Sequence, residues 1–299
     1  MLNFKSIQLS DKQIVTEIIK ENKYRSSDFC FNNLFAWATR FRPKILIIEN
    51  TFFLKSQCSE TQYCYMFPYG QMTLENSINR ILEDAKYYNV NFRMIGITTE
   101  MWNELNNVFP NKFQYFPERN NFEYIYLSEN LINLNGKKLQ CKRNHINRFK
   151  KENSDWSYSR ITTKENVNDC KKMLHEWELT EQNRLEKSQK DEFIAIMRLL
   201  DNFEILNLKI GAIYSKNKII AFSIGEKLTD DTFLVHCEKA FSKINGAYSI
   251  INQEFIKHEA VNFKYINREE DMGIENIRKA KMSYIPQLFI EKGFVELYF

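Results

Sequence analysis

Hydrophobic and polar positions repeat the same succession of helix-like and strand-like patterns twice along the chain. In the first half, a short strand and two helices precede Pro43, and three strand-like runs follow it. A helix, a strand, a second helix and an aromatic strand complete this half: LENSINRILEDAKYY, FRMIGI, TEMWNELNNVF and FQYFPERNNFEYIYL. The pattern predicts the element order β-α-α-β-β-β-α-β-α-β.

The second half shows the same order. The strand WSYSRI leads to two helices, and three strands follow them: LKIGAIYS, KIIAFSIGEKL and TFLVHCEKA. This half ends with a helix, a strand, a second helix and closing strands: GAYSIINQEFIKHEA, FKYINR, IENIRKAKMSY and QLFIEKGFVELYF. We therefore predict a duplicated unit, with an N-terminal lobe at 1–126 and a C-terminal lobe at 127–299 that begins with a basic helix at 136–151.

The predicted fold class is α/β (α+β), because each half places a run of three strands between helices. Such a run is expected to form an antiparallel meander, so each lobe should contain a mixed, mostly antiparallel sheet flanked by helices. This order resembles that of acyltransferases of the GNAT superfamily. The resemblance implies two tandem GNAT-like lobes.

Composition narrows the class of protein. A chain of 299 residues that is 43% hydrophobic can bury a substantial core, and its net charge of +4 gives no general preference for nucleic acid. The cysteines form no CxxC pair and the histidines have no ligand spacing, so we expect neither a disulfide framework nor a metal site. The first residues lack a signal segment and the aliphatic runs are too short for a membrane helix, which favours a cytoplasmic protein without an integral membrane segment.

The segment at 266–286, INREEDMGIENIRKAKMSYIP, combines many charges with a helical apolar pattern. On a helical wheel Lys281 falls on the apolar face, with Arg278 at its edge; the other members of that face are Ile274, Ile277, Tyr284 and Ile285. An ammonium group directed to a core needs a carboxylate or a polar cavity, and the candidate partners are Asp271, Glu269, Glu270 and Glu275. The segment is either the lining of a site or a structural network of ion pairs. The other charges are predicted to be solvated, among them Arg268, Glu270 and Lys279.

A second candidate follows the strand TFLVHCEKA, where Gly246 and Ala247 begin a helix. Small residues at a helix N-terminus let an anionic group approach the backbone N–H groups. The stretch from Lys243 to Tyr248 resembles half of the (Arg or Gln)-x-x-Gly-x-(Gly or Ala) loop that cradles the pyrophosphate of acyl-coenzyme A in the GNAT superfamily. The candidates for cofactor binding are therefore Lys243, Asn245, Gly246 and Ala247. The alternative is an ordinary glycine at the start of a helix.

A third candidate is the run from Lys137 to Lys151, which contains seven Lys or Arg residues and no acid. Such a run could bind phosphate groups of a nucleic acid, a coenzyme or a lipid, and the candidates for this contact are Lys142, Arg143 and Arg148. Its apolar positions form one thin stripe. The alternative is a basic amphipathic helix packed on the second lobe.

Several stretches together resemble a family of bacterial proteins related to the C-terminal domain of phosphatidylglycerol lysyltransferase: SDFCFNNLFAWATRF, YMFPYG, LNGKKLQCKRNHINRF, VHCEKAFSKINGAYSIINQEF and INREEDMGIENIRKAKMSYIP. The resemblance implies transfer of an aminoacyl or acyl group to an amine or hydroxyl, without a covalent enzyme intermediate and without a tightly bound cofactor. The implied donor is an aminoacyl-tRNA or an acyl-coenzyme A. The implied acceptor is a small amine, a peptide or a lipid head group.

The resemblance also implies roles for individual residues. Glu238, at the end of its strand, would act as the general base, and Tyr284 would protonate the leaving group. Three residues would orient substrate or stabilise charge: Asp271, Arg278 and Lys281. Two alternatives stay open, an acyl-coenzyme A-dependent N-acetyltransferase and a non-catalytic module that binds RNA or a peptide.

Overall fold

The computed structural model describes residues 2–20, 24–58, 62–181 and 187–298. The chain divides into two compact units. Unit 1 consists of Met1–Glu123, Glu270–Ile274 and Phe289–Phe299. Unit 2 consists of Tyr124–Glu269 and Glu275–Leu288.

The described residues form fifteen strands and twelve α-helices. The strands are β1 (Lys5–Ser6), β2 (Lys44–Ile48), β3 (Thr51–Gln57), β4 (Tyr63–Tyr65), β5 (Tyr69–Gly70), β6 (Arg93–Thr98), β7 (Phe113–Pro117), β8 (Glu123–Leu127), β9 (Ser157–Arg160), β10 (Lys209–Ser215), β11 (Lys218–Lys227), β12 (Thr232–Ala240), β13 (Tyr265–Asn267), β14 (Leu288–Ile290) and β15 (Lys292–Leu297). The helices are α1 (Lys12–Ile19), α2 (Phe31–Ala36), α3 (Ala38–Phe41), α4 (Leu74–Tyr87), α5 (Thr99–Val108), α6 (Ser128–Asn133), α7 (Gln140–Glu152), α8 (Lys164–Glu181), α9 (Lys187–Asp201), α10 (Phe203–Leu206), α11 (Ala247–Glu259) and α12 (Glu275–Met282).

The sheet of unit 1 has the strand order β1-β2-β3-β4-β6-β15-β7, and β5 pairs with β3. Its pairs are antiparallel except for β4 and β6, which run parallel. Apolar side chains of three elements are buried in this unit: Phe52, Phe53 and Leu54 on β3, Met94 and Ile97 on β6, and Ile78 and Ile81 on α4. This sheet forms the core of unit 1.

Lys292, on β15, is a buried cation in unit 1. Its Nζ lies 2.6 Å from Glu123 Oε1 and 2.8 Å from Asp28 Oδ2. The hydroxyl groups of Ser26 and Ser27 also donate to Glu123. Burial opposes the charge of Lys292, but Asp28 and Glu123 outweigh it and raise the pKa of this ammonium group well above its ordinary value.

The sheet of unit 2 has the order β14-β8-β13-β12-β11-β10-β9. Strands β10, β11 and β12 form an antiparallel meander, whereas β12 and β13 run parallel and are connected through α11, which packs on the sheet. Asn267, the last residue of β13, lies opposite Leu234, so the residues that follow β13 come beside the second half of β12.

The predicted fold class is confirmed. Each unit contains a mixed, mostly antiparallel sheet flanked by helices, and the meander predicted for the second half is present as β10, β11 and β12. The basic helix predicted at 136–151 is a 3₁₀ turn at Lys137–Leu139 followed by α7. Among the described residues, no helix has both the length and the apolar character that a bilayer span requires.

The boundary between the units differs from the one predicted at residues 126 and 127. Strand β15, which the sequence analysis assigned to the second lobe, lies between β6 and β7 in the sheet of unit 1. Strand β8, which was assigned to the first lobe, pairs with β13 in the sheet of unit 2. Periodicity identifies strands, but the sheet that a strand joins depends on non-local pairing.

One disulfide joins Cys58 and Cys64, with 5.9 Å between their Cα atoms. The expectation that the cysteines form no disulfide framework rested on the absence of a CxxC pair. The bond arises instead from the pairing of β3 with β4. This pairing places Ser56 opposite Cys64, and Cys58 follows Ser56 by two positions and so comes close to Cys64.

Candidate functional site

The candidate site in unit 2 is built around an ion pair between Glu238, on β12, and Arg268, directly after β13. Arg268 Nη2 donates to Glu238 Oε2, and both side chains are about one-tenth exposed. Asn252, on α11, donates from Nδ2 to the other oxygen, Glu238 Oε1, at 2.7 Å. Burial opposes the charge of Arg268, but the Glu238 carboxylate outweighs it and raises the pKa of the guanidinium group.

Hydrogen bonds join the three side chains in the order Asn252–Glu238–Arg268, which we call the arc. At each end of the arc, one polar atom takes no part in these bonds. Arg268 Nη1 and Asn252 Oδ1 are buried and have no hydrogen-bond partner within the described residues. A buried polar group without a partner costs about 1–3 kcal/mol. The two atoms are thus a donor and an acceptor that a bound molecule can satisfy.

Two tyrosines and a lysine surround Arg268. The ring centroids of Tyr126 and Tyr284 lie 5.5 and 4.9 Å from the guanidinium carbon. Lys142 Nζ lies 4.1 Å from the ring centroid of Tyr284. Arg268 and Glu238 form an ion pair without net charge, and Lys142 adds a positive charge when it is protonated, so the cluster then favours an anion or a developing negative charge.

Burial shifts the pKa values of two of these groups. Burial, followed by the charge of Arg268, lowers the pKa of Lys142, which increases the fraction of its neutral amine. Burial raises the pKa of Tyr284, so its hydroxyl group stays protonated. Burial thus favours the neutral form of both side chains.

Lys281 holds the turn that carries Arg268. Its Nζ lies 2.6 Å from the carbonyl oxygen of Arg268 and 3.2 Å from that of Glu269. Glu269 has φ +56°, a conformation that non-glycine residues seldom adopt. Lys281 thus stabilises a turn with positive φ through main-chain carbonyl groups; the prediction had been a carboxylate partner or a polar cavity.

The Glu238 carboxylate, predicted to act as the general base, takes part in the ion pair. Both of its oxygens accept hydrogen bonds, from Arg268 and from Asn252. Sequence periodicity placed Glu238 at the end of its strand but gave no information on these two partners. The geometry makes Glu238 the group that orients Arg268.

The other residues predicted in the segment at 266–286 are distributed over both units. Asp271 is fully buried in unit 1, where it accepts a hydrogen bond from the backbone of Gly273 at 2.8 Å and lies 3.4 Å from Arg119. Arg278 is half-buried on α12 in unit 2. Arg268, predicted to be solvated, is instead a central side chain of the cluster.

The loop predicted to bind a cofactor is packed against α7. Lys243 and Asn245 are exposed, and Asn245 forms a side-chain hydrogen bond with Glu152. Gly246 has φ +77°, and a Cβ at this position would lie 2.3 Å from the carbonyl oxygen of His145. Ala247 is buried. The close approach of α7 is enough to require glycine at position 246, so this glycine is no evidence that the loop binds a phosphate group.

Replacing Gly246 by alanine is expected to destabilise the protein by more than the same change at Gly136, the matched control. Both glycines have a positive φ, so both alanines carry about 1–2 kcal/mol of backbone strain. Only at Gly246 does the new Cβ meet backbone, because nothing lies within 4 Å of a Cβ at Gly136. Urea unfolding of the two variants measures the difference in the free energy of unfolding. An equal decrease in both variants would show that the packing of α7 on this loop does not contribute to stability.

Of the three basic residues predicted to bind substrate, only Lys142 reaches the cluster. Arg143 donates to the carbonyl oxygens of Leu134 and Gly136, which caps the end of α6. Arg148 pairs with Glu152 at 2.7 Å on the exposed face of α7. The basic run is thus a helix of which one lysine faces the candidate site.

The family model for phosphatidylglycerol lysyltransferase, C-terminal, matches residues 21–293. The chain belongs to this family. It is therefore a member of a family named for a transferase, as the resemblance implied.

Two solved structures have a similar fold. A conserved protein of unknown function from Bacteroides thetaiotaomicron VPI-5482 is 36% identical, the match covers 100% of both chains, and the TM-score is 0.93. The structure of L-PGS from Bacillus licheniformis is 15% identical, with 96% of this chain and 91% of that chain covered and a TM-score of 0.64, which shows likeness of fold.

A sequence relative is an uncharacterized protein of Mycoplasmoides gallisepticum. It is 27% identical over 177 residues, which is 58% of this chain and 56% of that protein. The match therefore spans little more than half the length of either protein.

In this member of the phosphatidylglycerol lysyltransferase C-terminal family, sequence reasoning missed three polar residues of the site. Arg268 lies in a run of charges that resembles a solvated surface. Asn252 and Ser249 are buried on α11, and Ser249 forms a side-chain hydrogen bond with Tyr284. The available signal was the occurrence of polar residues within the apolar run AYSIINQEF.

Proposed function

We propose that unit 2 transfers an acyl or aminoacyl group to an amine or hydroxyl group of an acceptor molecule, and that Arg268 binds the acyl carbonyl during the transfer. The observation that supports this function is the buried Nη1 of Arg268, which has no partner within the described residues and is held in place by Glu238. A fixed N–H group in a site from which water is excluded stabilises the oxyanion of acyl transfer. Lys142 and Tyr284 add the groups that move protons.

The reaction requires no covalent enzyme intermediate. The acceptor nitrogen or oxygen attacks the acyl carbon, its proton passes to the neutral amine of Lys142, and the carbonyl oxygen becomes an oxyanion that accepts a hydrogen bond from Arg268. When the carbonyl bond forms again, the bond to the leaving group breaks and the leaving oxygen takes the proton of the Tyr284 hydroxyl. The ammonium group of Lys142 returns its proton to Tyr284, which restores both groups.

The role of general base moves from Glu238 to Lys142 in this proposal. Both oxygens of Glu238 already accept a hydrogen bond, whereas burial and the charge of Arg268 lower the pKa of Lys142 from its ordinary value. Lys281 acts as a positioning residue because it binds the backbone of Arg268 and Glu269. Arg278 and Asp271 have no part in the proposed proton transfers.

The proposed donor is an aminoacyl-tRNA rather than an acyl-coenzyme A. The loop that would hold a coenzyme A pyrophosphate is the one in which the backbone of α7 occupies the space beside Gly246. Helix α7 also presents exposed basic residues, Lys150 and Lys151 among them, that suit an RNA backbone. The proposed acceptor is a small amine, a peptide or a lipid head group.

A transfer assay with two donors tests this function. A tRNA pool charged with tritiated amino acids and a sample of radiolabelled acetyl-coenzyme A are each incubated with the protein and with three acceptors: cadaverine, a tripeptide, and phosphatidylglycerol vesicles. We expect tritium to move from tRNA to one acceptor faster than the ester hydrolyses without protein. Acetyl transfer without aminoacyl transfer would refute the proposal that the donor is an aminoacyl-tRNA. The absence of transfer from both donors would refute the proposed function.

A further inference from the structure

Two buried atoms at the ends of the Asn252–Glu238–Arg268 arc have opposite hydrogen-bonding character. Arg268 Nη1 is a donor and needs an acceptor, whereas Asn252 Oδ1 is an acceptor and needs a donor. Both belong to side chains that hold the same carboxylate, that of Glu238. A molecule that satisfies both must therefore carry an acceptor for Arg268 and a donor for Asn252.

The orientation of the Asn252 amide is fixed by its partner. The nitrogen and oxygen of an asparagine side chain are often hard to distinguish, so a free oxygen at this place would carry little weight alone. Here the amide faces Glu238 Oε1 at 2.7 Å, and an ionised carboxylate only accepts hydrogen bonds. The amide must present Nδ2 to Glu238, and Oδ1 points the other way.

We infer that Asn252 is a specificity-determining residue that accepts a hydrogen bond from an amino group of the transferred acyl group, beside the carbonyl bound by Arg268. This inference rests on the proposed function, which places the acyl carbonyl at Arg268. In an α-aminoacyl group the amino nitrogen is separated from the carbonyl carbon by one carbon atom, which supplies a donor next to an acceptor. A simple acyl group, such as acetyl, satisfies Arg268 and leaves Asn252 Oδ1 without a partner.

The energetic reason for discrimination is the burial of Asn252. Asn252 is 0% exposed and its Oδ1 has no partner among the described residues, so Oδ1 gains one only from a ligand that carries an amino group. A site built to hydrogen-bond a polar group rejects an analogue that lacks the group, because its own buried atom is then left unpaired. Asn252 thus separates aminoacyl groups from plain acyl groups.

Two stable amide probes test the inference: 3′-(glycylamino)-3′-deoxyadenosine and 3′-(acetylamino)-3′-deoxyadenosine. They differ only in the α-amino group, and glycine adds no side chain that could bind elsewhere. We expect calorimetry to show that the wild-type protein binds the glycyl probe at least about tenfold more tightly, a difference of about 1.4 kcal/mol. Asn252→Leu, which keeps the volume and leaves Arg268 paired with Glu238, should bring the two dissociation constants to within about twofold of each other.

The matched control is Asn262→Leu, at an exposed asparagine shortly after α11, which should keep the preference. Equal binding of both probes by the wild-type protein would overturn the inference and leave the proposed function in place, as would a preference that survives in Asn252→Leu. The absence of binding of either probe would count against the proposed function itself, and the inference would fall with it.

Discussion

Replacing Lys292 by methionine is expected to lower the free energy of unfolding by about 3–5 kcal/mol, because the change removes the buried cation that pairs with the Glu123 and Asp28 carboxylates. Lys292 is the ammonium group between Glu123, whose side chain is 0% exposed, and Asp28. The hydroxyl groups of Ser26 and Ser27 stay near Glu123, but they cannot neutralise its charge. The carboxyl group of Glu123 must then take up a proton or remain charged in the core of unit 1.

The control is Lys279→Met, which breaks the exposed pair with Glu275 on α12. The two side chains of that pair are 69% and 76% exposed, so the expected loss is below about 1 kcal/mol. Urea unfolding at neutral pH compares the two variants. If Lys292→Met lost no more stability than Lys279→Met, the buried cluster of unit 1 would not contribute to the fold.

The second large effect concerns the pair of Arg268 and Glu238. Arg268→Met is expected to destabilise the protein by about 3–5 kcal/mol, because it leaves the Glu238 carboxylate buried without its cation. Adding Glu238→Leu removes that charge as well. Replacement of a whole buried ion pair by apolar residues is often neutral or stabilising, so the double variant should recover most of the lost stability.

Thermal and urea unfolding of the single and double variants measure this recovery. A double variant less stable than Arg268→Met would show that Glu238 is needed for the fold by itself, for example through its hydrogen bond with Asn252. Recovery in the double variant provides a folded protein without the proposed oxyanion donor. That variant separates a structural role of the pair from a functional one.

Local patterns were sufficient for the fold class and the order of elements. Apolar positions with a period of two or of 3.6 residues identify a strand or a helix from neighbouring residues alone. The same patterns could not show that β15 lies between β6 and β7, because the partners of a strand are distant in sequence. The disulfide between Cys58 and Cys64 escaped prediction for the same reason.

The sequence predicted part of the candidate site. A residue was found when its own position broke the apolar pattern, and it was missed when its neighbours were charged as well. Lys281 stood out because a charge occupied an apolar stripe, and its ammonium group does face inward. Arg268 did not stand out, because its neighbours in sequence are charged and its partner Glu238 comes from a parallel strand. A buried ion pair formed by two distant residues leaves no periodic signal at either position.

The rate of aminoacyl transfer by the Arg268→Met, Glu238→Leu double variant tests the central claim most directly. The claim is that Arg268 Nη1 stabilises the oxyanion of acyl transfer in unit 2. Loss of one such donor typically slows transfer by about 10²–10³-fold, so we expect a reduction of this size in a variant as stable as the wild-type protein. Transfer at the wild-type rate by the folded double variant would contradict the account.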